Sequence, residues 1–143
     1  MEFEFAEDKI FFKKLLGEEY FEKYKTLFDF RPVDIKRKDF SAVRNKIFEE
    51  LVSRYGLSCM LHFKVCDSNS GFAVDHLLPL STNQLNKKLR RIKPERGKKV
   101  RTQSIGSNHW DNLVIACNKC NGYKKQRLLK GKELLEILNK KTG

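Results

Sequence analysis

The first third of the chain carries apolar residues at roughly helical spacing. They predict helix up to the point where Arg31 and Pro32 end the pattern, because proline disfavours helical backbone at the preceding residue. The apolar positions are Ile10, Phe11, Leu15, Leu16, Phe21, Tyr24, Leu27 and Phe28, with Gly17 as an interruption.

A second helix is better defined by its ends and by one apolar stripe. Ser41 is expected to cap its start, and Gly56 is expected to end it. The stripe consists of Val43, Ile47, Phe48, Leu51, Val52 and Tyr55. We expect both stripes to form hydrophobic core and assign them no chemistry.

From residue 57 onward the pattern changes to short β-like pieces, which predicts an α+β fold. Residues 57–63 and 72–76 are candidate strands, with residues 67–71 as the turn between them. Residues 113–116 form a third short apolar run, while residues 83–107 show no period. The chain becomes helical again after Cys120, and a terminal amphipathic helix carries Leu134, Leu135, Ile137 and Leu138.

Length and hydropathy predict one compact domain without a membrane span. The chain has 143 residues, of which 40% are hydrophobic, and it contains no apolar run of about 18 residues. The N-terminus is acidic and lacks the apolar stretch of a secretory signal. We therefore expect a cytoplasmic protein, in which four cysteines indicate a metal site before disulfides.

The positive charge is confined to the second part of the chain. Residues 1–58 hold 12 Lys/Arg and 12 Asp/Glu, whereas residues 59–143 hold 18 Lys/Arg against 6 Asp/Glu. The formal net charge of +12 therefore belongs to residues 59–143. A basic half joined to a neutral half indicates a polyanionic partner such as nucleic acid.

Two cysteines separated by two residues, Cys117 and Cys120, have the spacing of a zinc knuckle. A redox pair uses the same spacing, but its usual βαβ context is not evident here. Cys59 and Cys66 would complete a Cys₄ site, and a Cys₃His site with His62 is the alternative. The zinc would be structural, clamping residues 59–66 to residues 117–120.

Four further residues together suit phosphodiester chemistry. The Asp75 carboxylate and the Asn121 amide oxygen can bind a hard divalent cation, and the His76 imidazole can take a proton from water near neutral pH. Asn112 can bridge backbone groups across a loop. Considered separately, these residues also have purely structural interpretations: Asp75 and His76 as a surface pair, and the two asparagines as turn or helix-capping residues.

These residues resemble the HNH nuclease family, whose fold is the ββα-metal motif. The resemblance covers roughly residues 59–127 and rests on the runs VDHLLP at 74–79 and DNLVIACNKCNGYKK at 111–125. It implies that His76 is the general base, that Asp75 and Asn121 bind catalytic Mg²⁺ or Mn²⁺, and that Asn112 stabilises the loop between the strands. Cys117 and Cys120 would be half of the structural zinc site found in many members.

The chain departs from the family pattern at three places. Asn121 stands where many members carry histidine, and the first cysteine pair is stretched to Cys59 and Cys66. The interval from His76 to Asn112 is long because a basic segment is inserted. The resemblance thus divides the chain into a helical segment, residues 1–56, and a nuclease core, residues 57–143, with an insertion at about residues 83–107.

The insertion holds nine Lys/Arg and one acid, Glu95, between residues 87 and 101. Phosphates are the natural counter-charges, although a solvated flexible loop is the alternative. The predicted nucleic-acid-binding residues are Lys87, Lys88, Arg90, Arg91, Lys98, Lys99, Arg101, Lys124, Lys125 and Arg127. Such contacts would position the protein without reading sequence.

The sequence therefore predicts an endonuclease, a phosphodiester hydrolase using one divalent metal ion. The alternative is a zinc-stabilised nucleic-acid-binding module without catalysis. Double-stranded DNA is the substrate that the resemblance implies, with RNA and branched DNA left open. A homodimer that makes paired cuts is likewise open, as are restriction, mobile-element mobility, phage processing and repair as settings.

Overall fold

The protein is a mixed α+β fold in which helices surround a small two-stranded sheet. The computed structural model describes residues 2–81, 83–93, 95–97, 102–125 and 127–142. The helices are α1 (Ala6–Leu16), α2 (Glu18–Lys23), α3 (Val33–Tyr55), α4 (Asn83–Leu85), α5 (Asn118–Lys124) and α6 (Gly131–Thr142). The strands are β1 (Phe72–His76) and β2 (Leu113–Cys117).

The two strands pair antiparallel across a long connection. Phe72 lies opposite Cys117 and His76 lies opposite Leu113, so the end of β1 meets the start of β2. Helix α5 follows β2 directly and contacts both strands, and α3 also contacts both. Since successive strand residues point to opposite faces, Asp75 and His76 leave β1 in opposite directions.

The main hydrophobic core joins the N-terminal helices to the second part of the chain. Phe12, Leu16 and Phe21 are buried in the same cluster as Leu77 and Val114. A smaller cluster lies against α3 and contains Phe40, Leu51, Leu113 and Ile115. The predicted helical segment and the predicted nuclease core are therefore packed together through a shared interior.

Helix α3 begins eight residues earlier than the predicted cap at Ser41. Pro32 immediately precedes it, and a proline is well accommodated at a helix start because its missing N–H would have no partner in the first turn. The predicted stop is correct, since Gly56 has a φ of +83° directly after Tyr55. Not all of the stripe is core, because Val43 is 41% exposed.

Residues 57–63 do not form the predicted strand. The segment is irregular and contacts the sheet through a hydrogen bond from the Met60 N–H to the Ile115 carbonyl (2.8 Å). His62 has a φ of +53°, which is incompatible with strand geometry. The strand at residues 72–76 is confirmed, and the apolar run at 113–116 is β2, extended by Cys117.

Helix α5 begins at Asn118, so Cys120 and Asn121 lie inside it. The terminal helix is confirmed as α6, which buries Leu134, Ile137 and Leu138. Within the described part of the chain, every helix is too short or too polar to cross a lipid bilayer.

Candidate metal centres and catalytic groove

The four cysteines converge on one point. Their Sγ atoms all lie within 4.8 Å of one another, and those of Cys66 and Cys117 are 3.9 Å apart. A tetrahedral site with Zn–S bonds of about 2.3 Å places sulfur atoms about 3.8 Å apart. All four are free thiols, so the cluster can hold a structural metal ion such as zinc.

Main-chain N–H groups around the cluster favour thiolate at Cys117. The N–H groups of Asp67 and Cys120 donate to Cys117 Sγ at 3.4 Å and 3.3 Å. Burial opposes ionisation of Cys117, but these donors, together with the neighbouring thiols of Cys120 and Cys66, lower its pKa to about 6. Burial raises the pKa of Cys120. A ready thiolate among buried thiols is the donor set that a soft-metal site requires.

His62 lies at the edge of this cluster. Its Nδ1 atom is 3.9 Å from Cys66 Sγ, and the residue is exposed. The geometry thus favours the Cys₄ set over the alternative in which His62 replaces a thiolate.

Asp75 is buried against α5, where Lys124 meets it. Lys124 Nζ lies 3.1 Å from Asp75 Oδ2 and donates to the His76 carbonyl at 2.7 Å. Oδ2 is buried, and its partner in the described structure is the Lys124 ammonium, which meets it as an ion pair with imperfect hydrogen-bond geometry. Burial raises the pKa of Asp75, and the charge of Lys124 partly offsets that increase.

His76 points to the other side of β1, towards α3. Its ring meets the Phe40 ring edge-on at 4.7 Å between centroids, and Nε2 lies 2.8 Å from Asn108 Oδ1. Burial is the main cause that lowers the pKa of His76 to about 4, with smaller contributions from the charges of Lys124, Lys36 and Arg44. The imidazole is consequently neutral at pH 7.

Asn108 fixes which ring nitrogen of His76 carries the proton. Asn108 Nδ2 donates to the Lys36 carbonyl at 2.8 Å, which leaves Oδ1 facing the imidazole. Because Oδ1 can only accept, Nε2 is the protonated nitrogen and Nδ1 carries the free lone pair. No spacing in the sequence pointed to Asn108 for this role.

A buried lysine anchors α3 beside this pair. The side chain of Lys36 is fully buried, and Nζ donates to the Asp29 carbonyl at 2.6 Å and the Gly106 carbonyl at 2.7 Å. No pattern in the sequence predicted a lysine in the interior. Its contacts hold α3 against the segment that carries Asn108.

Asn112 lies where the end of β1 meets the start of β2. Its Oδ1 accepts from the Leu78 N–H (2.8 Å), while Nδ2 donates to the carbonyls of Leu78 (3.0 Å) and Ser107 (2.7 Å). The side chain is completely buried. Asn112 therefore ties the chain just after His76 to the loop that enters β2.

Asn121 lines a groove of about 500 Å³ between α3, β1 and α5. Ala73 and Val74 form its β1 side, and Phe40 and Arg44 belong to its α3 side. Asn121 is one helical turn before Lys124, so both side chains leave α5 on the same side. The structure thus brings Asn121 to the β1 edge, next to the residues that precede Asp75.

The predicted nucleic-acid-binding residues fall into three groups. The exposed group consists of Lys87, Lys88, Arg91, Lys125 and Arg127. In this group, Lys88 lies over the Phe11 ring and Arg127 lies over the Tyr123 ring. Arg90 and Lys124 are engaged internally, since Arg90 binds Asp8 at 2.7 Å and stacks on Phe5. Lys98, Lys99 and Arg101 lie outside the described residues.

Comparisons of the chain with protein-family models, with curated proteins and with solved structures found no match. The site is therefore interpreted from its own geometry.

Proposed function

We propose that the protein is a divalent-metal-dependent endonuclease that hydrolyses DNA phosphodiester bonds through an HNH site of the ββα-metal type. The observation that carries the proposal is the order of β1, β2 and α5. Asp75 and His76 end the first strand, Asn112 ties that end to the second strand, and Asn121 lies in the helix that follows directly.

His76 is the general base in this proposal. Its ring is neutral at pH 7, and Asn108 holds the proton on Nε2, so Nδ1 is the atom that accepts a proton from water. Phe40 and Asn108 together fix the ring plane. A fixed ring with one free lone pair meets the geometric requirement for aligning an attacking water.

Asp75 and Asn121 are the residues that would hold Mg²⁺ or Mn²⁺. Oxygen donors suit these hard cations, and the buried Asp75 Oδ2, which lacks a directed hydrogen bond, has acceptor capacity left for one. The ion, when bound, stabilises the negative charge that builds on the phosphoryl and leaving oxygens. Lys124 meanwhile favours the ionised form of Asp75 in its buried position.

The exposed lysines and arginines supply the contacts to the DNA backbone. Lys125 follows α5 directly, and Lys87 and Arg91 are exposed in the basic insertion. These cations are available to phosphates, whereas Arg90 and Lys124 are occupied within the protein. We therefore assign phosphate binding to the exposed group and omit Arg90 and Lys124 from it.

The first prediction tests the activity itself. Purified protein is expected to cut plasmid DNA with Mg²⁺ or Mn²⁺ and to stop with EDTA, and His76→Ala is expected to cut about 10²–10⁴-fold more slowly. His109→Ala, which removes an exposed histidine, is the matched control and should cut as the parent does. Equal cutting by His76→Ala and the parent would show that His76 is not the base.

One observation favours the alternative, a zinc-stabilised nucleic-acid-binding module. Asp75 is already paired with Lys124, and His76 is largely enclosed by Phe40 and Asn108, as structural residues would be. This module would bind nucleic acid with the same salt dependence but cut none. The absence of metal-dependent cleavage of duplex DNA, branched DNA and RNA, with binding intact, would favour it.

A further inference from the structure

Helix α3 presents a single arginine to the catalytic groove. Arg44 lines the groove opposite Asn121, and its guanidinium lies over the Phe40 ring at 5.3 Å from the centroid. The same Phe40 ring contacts His76 at 4.7 Å. The guanidinium of Arg44 and the imidazole of the proposed base thus contact the same aromatic ring.

Three cations lie within electrostatic reach of His76, and they differ in what they bind. Lys36 and Lys124 are fully buried, and their ammonium groups donate to backbone carbonyls. Arg44 is exposed and makes no hydrogen bond or ion pair with any other described residue. Of these three groups, Arg44 alone therefore has its donors free for a ligand.

The rest of the groove fits a nucleotide chain. Phe48 and Phe72 add aromatic surface, and Asn45 adds an amide next to Arg44. Aromatic surface suits the bases of a nucleic acid, while the planar guanidinium fork matches the oxygens of a phosphate. Stacking on Phe40 keeps the fork at the groove instead of free in solvent.

We propose that Arg44 binds a backbone phosphate of the substrate in this groove, so that α3 forms the wall of the nuclease site that faces α5. The proposal rests on the proposed function, because it places the bound phosphate beside the reacting one. It gives the helical segment a role in substrate binding that its neutral charge and apolar stripe did not indicate.

The test uses Arg44→Gln, which removes the charge but keeps a stem to cover Phe40, and Arg44→Lys, which keeps the charge but loses the fork. Lys46→Gln is the matched control, since Lys46 is exposed on the same helix and points about 200° away from Arg44. Zinc content and thermal unfolding confirm that each variant is folded.

Binding of a fluorescent duplex oligonucleotide is measured without added Mg²⁺ or Mn²⁺ and without chelator, so that cleavage lacks its metal ion while the structural zinc is retained, over a range of salt concentrations. Arg44→Gln is expected to weaken binding about 10- to 100-fold at low salt and to reduce the salt slope by about 1. Arg44→Lys should keep the slope and cut more slowly than the parent. Lys46→Gln should match the parent in both assays.

The outcomes separate the two proposals. A parent protein that cuts nothing with Mg²⁺ or Mn²⁺ would refute the nuclease proposal, whatever the binding data show. A parent that cuts, with Arg44→Gln unchanged in cleavage rate, affinity and salt slope, would refute the role of Arg44 alone. An equal loss in Lys46→Gln would also refute it, by showing a general charge effect.

Discussion

At the residue scale, the state of His76 is set by neighbours that are distant in sequence. Asn108 lies 32 residues away and orients the ring, and the Lys36 carbonyl orients Asn108 in turn. This series of hydrogen bonds links α3, the loop before β2 and the end of β1. Because the Lys36 carbonyl orients the Asn108 amide, and that amide accepts from Nε2, the tautomer of the imidazole is determined before any substrate binds.

Substitution of Asn108 tests this series of hydrogen bonds. Asn108→Asp should raise the pKa of His76, because it places a negative charge beside the imidazole, and should move the acid limb of the cleavage profile to higher pH. Asn108→Ala should lower the rate by releasing the ring. NMR titration of the ring protons measures the pKa directly, since the chain has only 3 histidines.

The control for these variants is Asn118→Ala, which removes an exposed amide on α5 and should leave the titration of His76 unchanged. An unaltered pKa of His76 in Asn108→Asp would contradict the assigned contact.

Buried lysines are the other residue-level feature that decides local structure. Lys36 and Lys141 both donate to backbone carbonyls, Lys141 to those of Trp110 and Leu113. Burial lowers the pKa of each to about 8. Each lysine supplies donors to carbonyls that would otherwise be buried without partners.

The lowered pKa of Lys36 predicts how stability depends on pH. Between pH 8 and 10.5 the unfolded chain binds the proton that the folded protein has released, so the contribution of Lys36 to the unfolding free energy rises with pH. Relative to Lys36→Met, the parent should gain about 3 kcal/mol across that window. Urea unfolding at several pH values measures the difference, and a flat difference would contradict the prediction.

At the element scale, tertiary contacts moved the start of one predicted helix and replaced one predicted strand by irregular structure. Helix α3 starts at Val33 because its first turns are held by Lys36 to the Asp29 and Gly106 carbonyls, which no local pattern reports. Residues 57–63 look like a strand, but Cys59 must turn towards the cysteine cluster, and His62 takes a φ of +53°. By contrast, β1, β2 and α6 follow their apolar patterns.

The junction of β1 and β2 depends on one amide. Asn112→Ala should lower the unfolding free energy by about 3 kcal/mol or more, because it removes three buried hydrogen bonds and leaves the Leu78 N–H and two carbonyls unsatisfied. Denaturant unfolding measures the loss. Ser70→Ala removes two exposed hydrogen bonds, one to the Asp67 carbonyl and one from the Lys119 N–H, and should cost clearly less, about 1 kcal/mol. Equal losses in the two variants would refute the role of Asn112.

At the scale of the whole molecule, the cysteine cluster joins parts of the chain that are distant in sequence. It connects the irregular segment of Cys59 and Cys66 to the end of β2 and the start of α5. Helix α5 carries Asn121 and Lys124, so a metal bound by the four thiols would also stabilise the proposed nuclease site.

Metal removal should therefore affect the entire fold. The purified protein is expected to hold one zinc ion per chain by elemental analysis and to unfold at a lower temperature after chelation. Cys66→Ala should lose the metal, whereas His62→Ala should retain it, because His62 lies outside the thiol cluster. Loss of zinc from both variants would indicate a Cys₃His site instead.

The sequence alone determined the features that depend on local pattern and composition. Apolar periodicity located β1, β2 and α6, and the charge count separated a neutral half from a basic one. Residue spacing selected Cys117 and Cys120, and the two remaining cysteines completed the predicted zinc site. The sequence contains these signals because side-chain periodicity follows from backbone geometry. An excess of positive charge that the protein does not neutralise internally requires negative groups from a binding partner.

Only the tertiary structure decided which polar groups are used internally. It paired Arg90 with Asp8, buried Lys36 and Lys124, placed Asn108 on His76 and left Arg44 at the groove without a hydrogen bond or ion pair to any described residue. The physical reason is that a buried charge or amide is stabilised by whichever partner the folded chain brings within hydrogen-bonding distance, and those partners lie 32 to 82 residues apart in sequence for the Asn108–His76 and Arg90–Asp8 contacts.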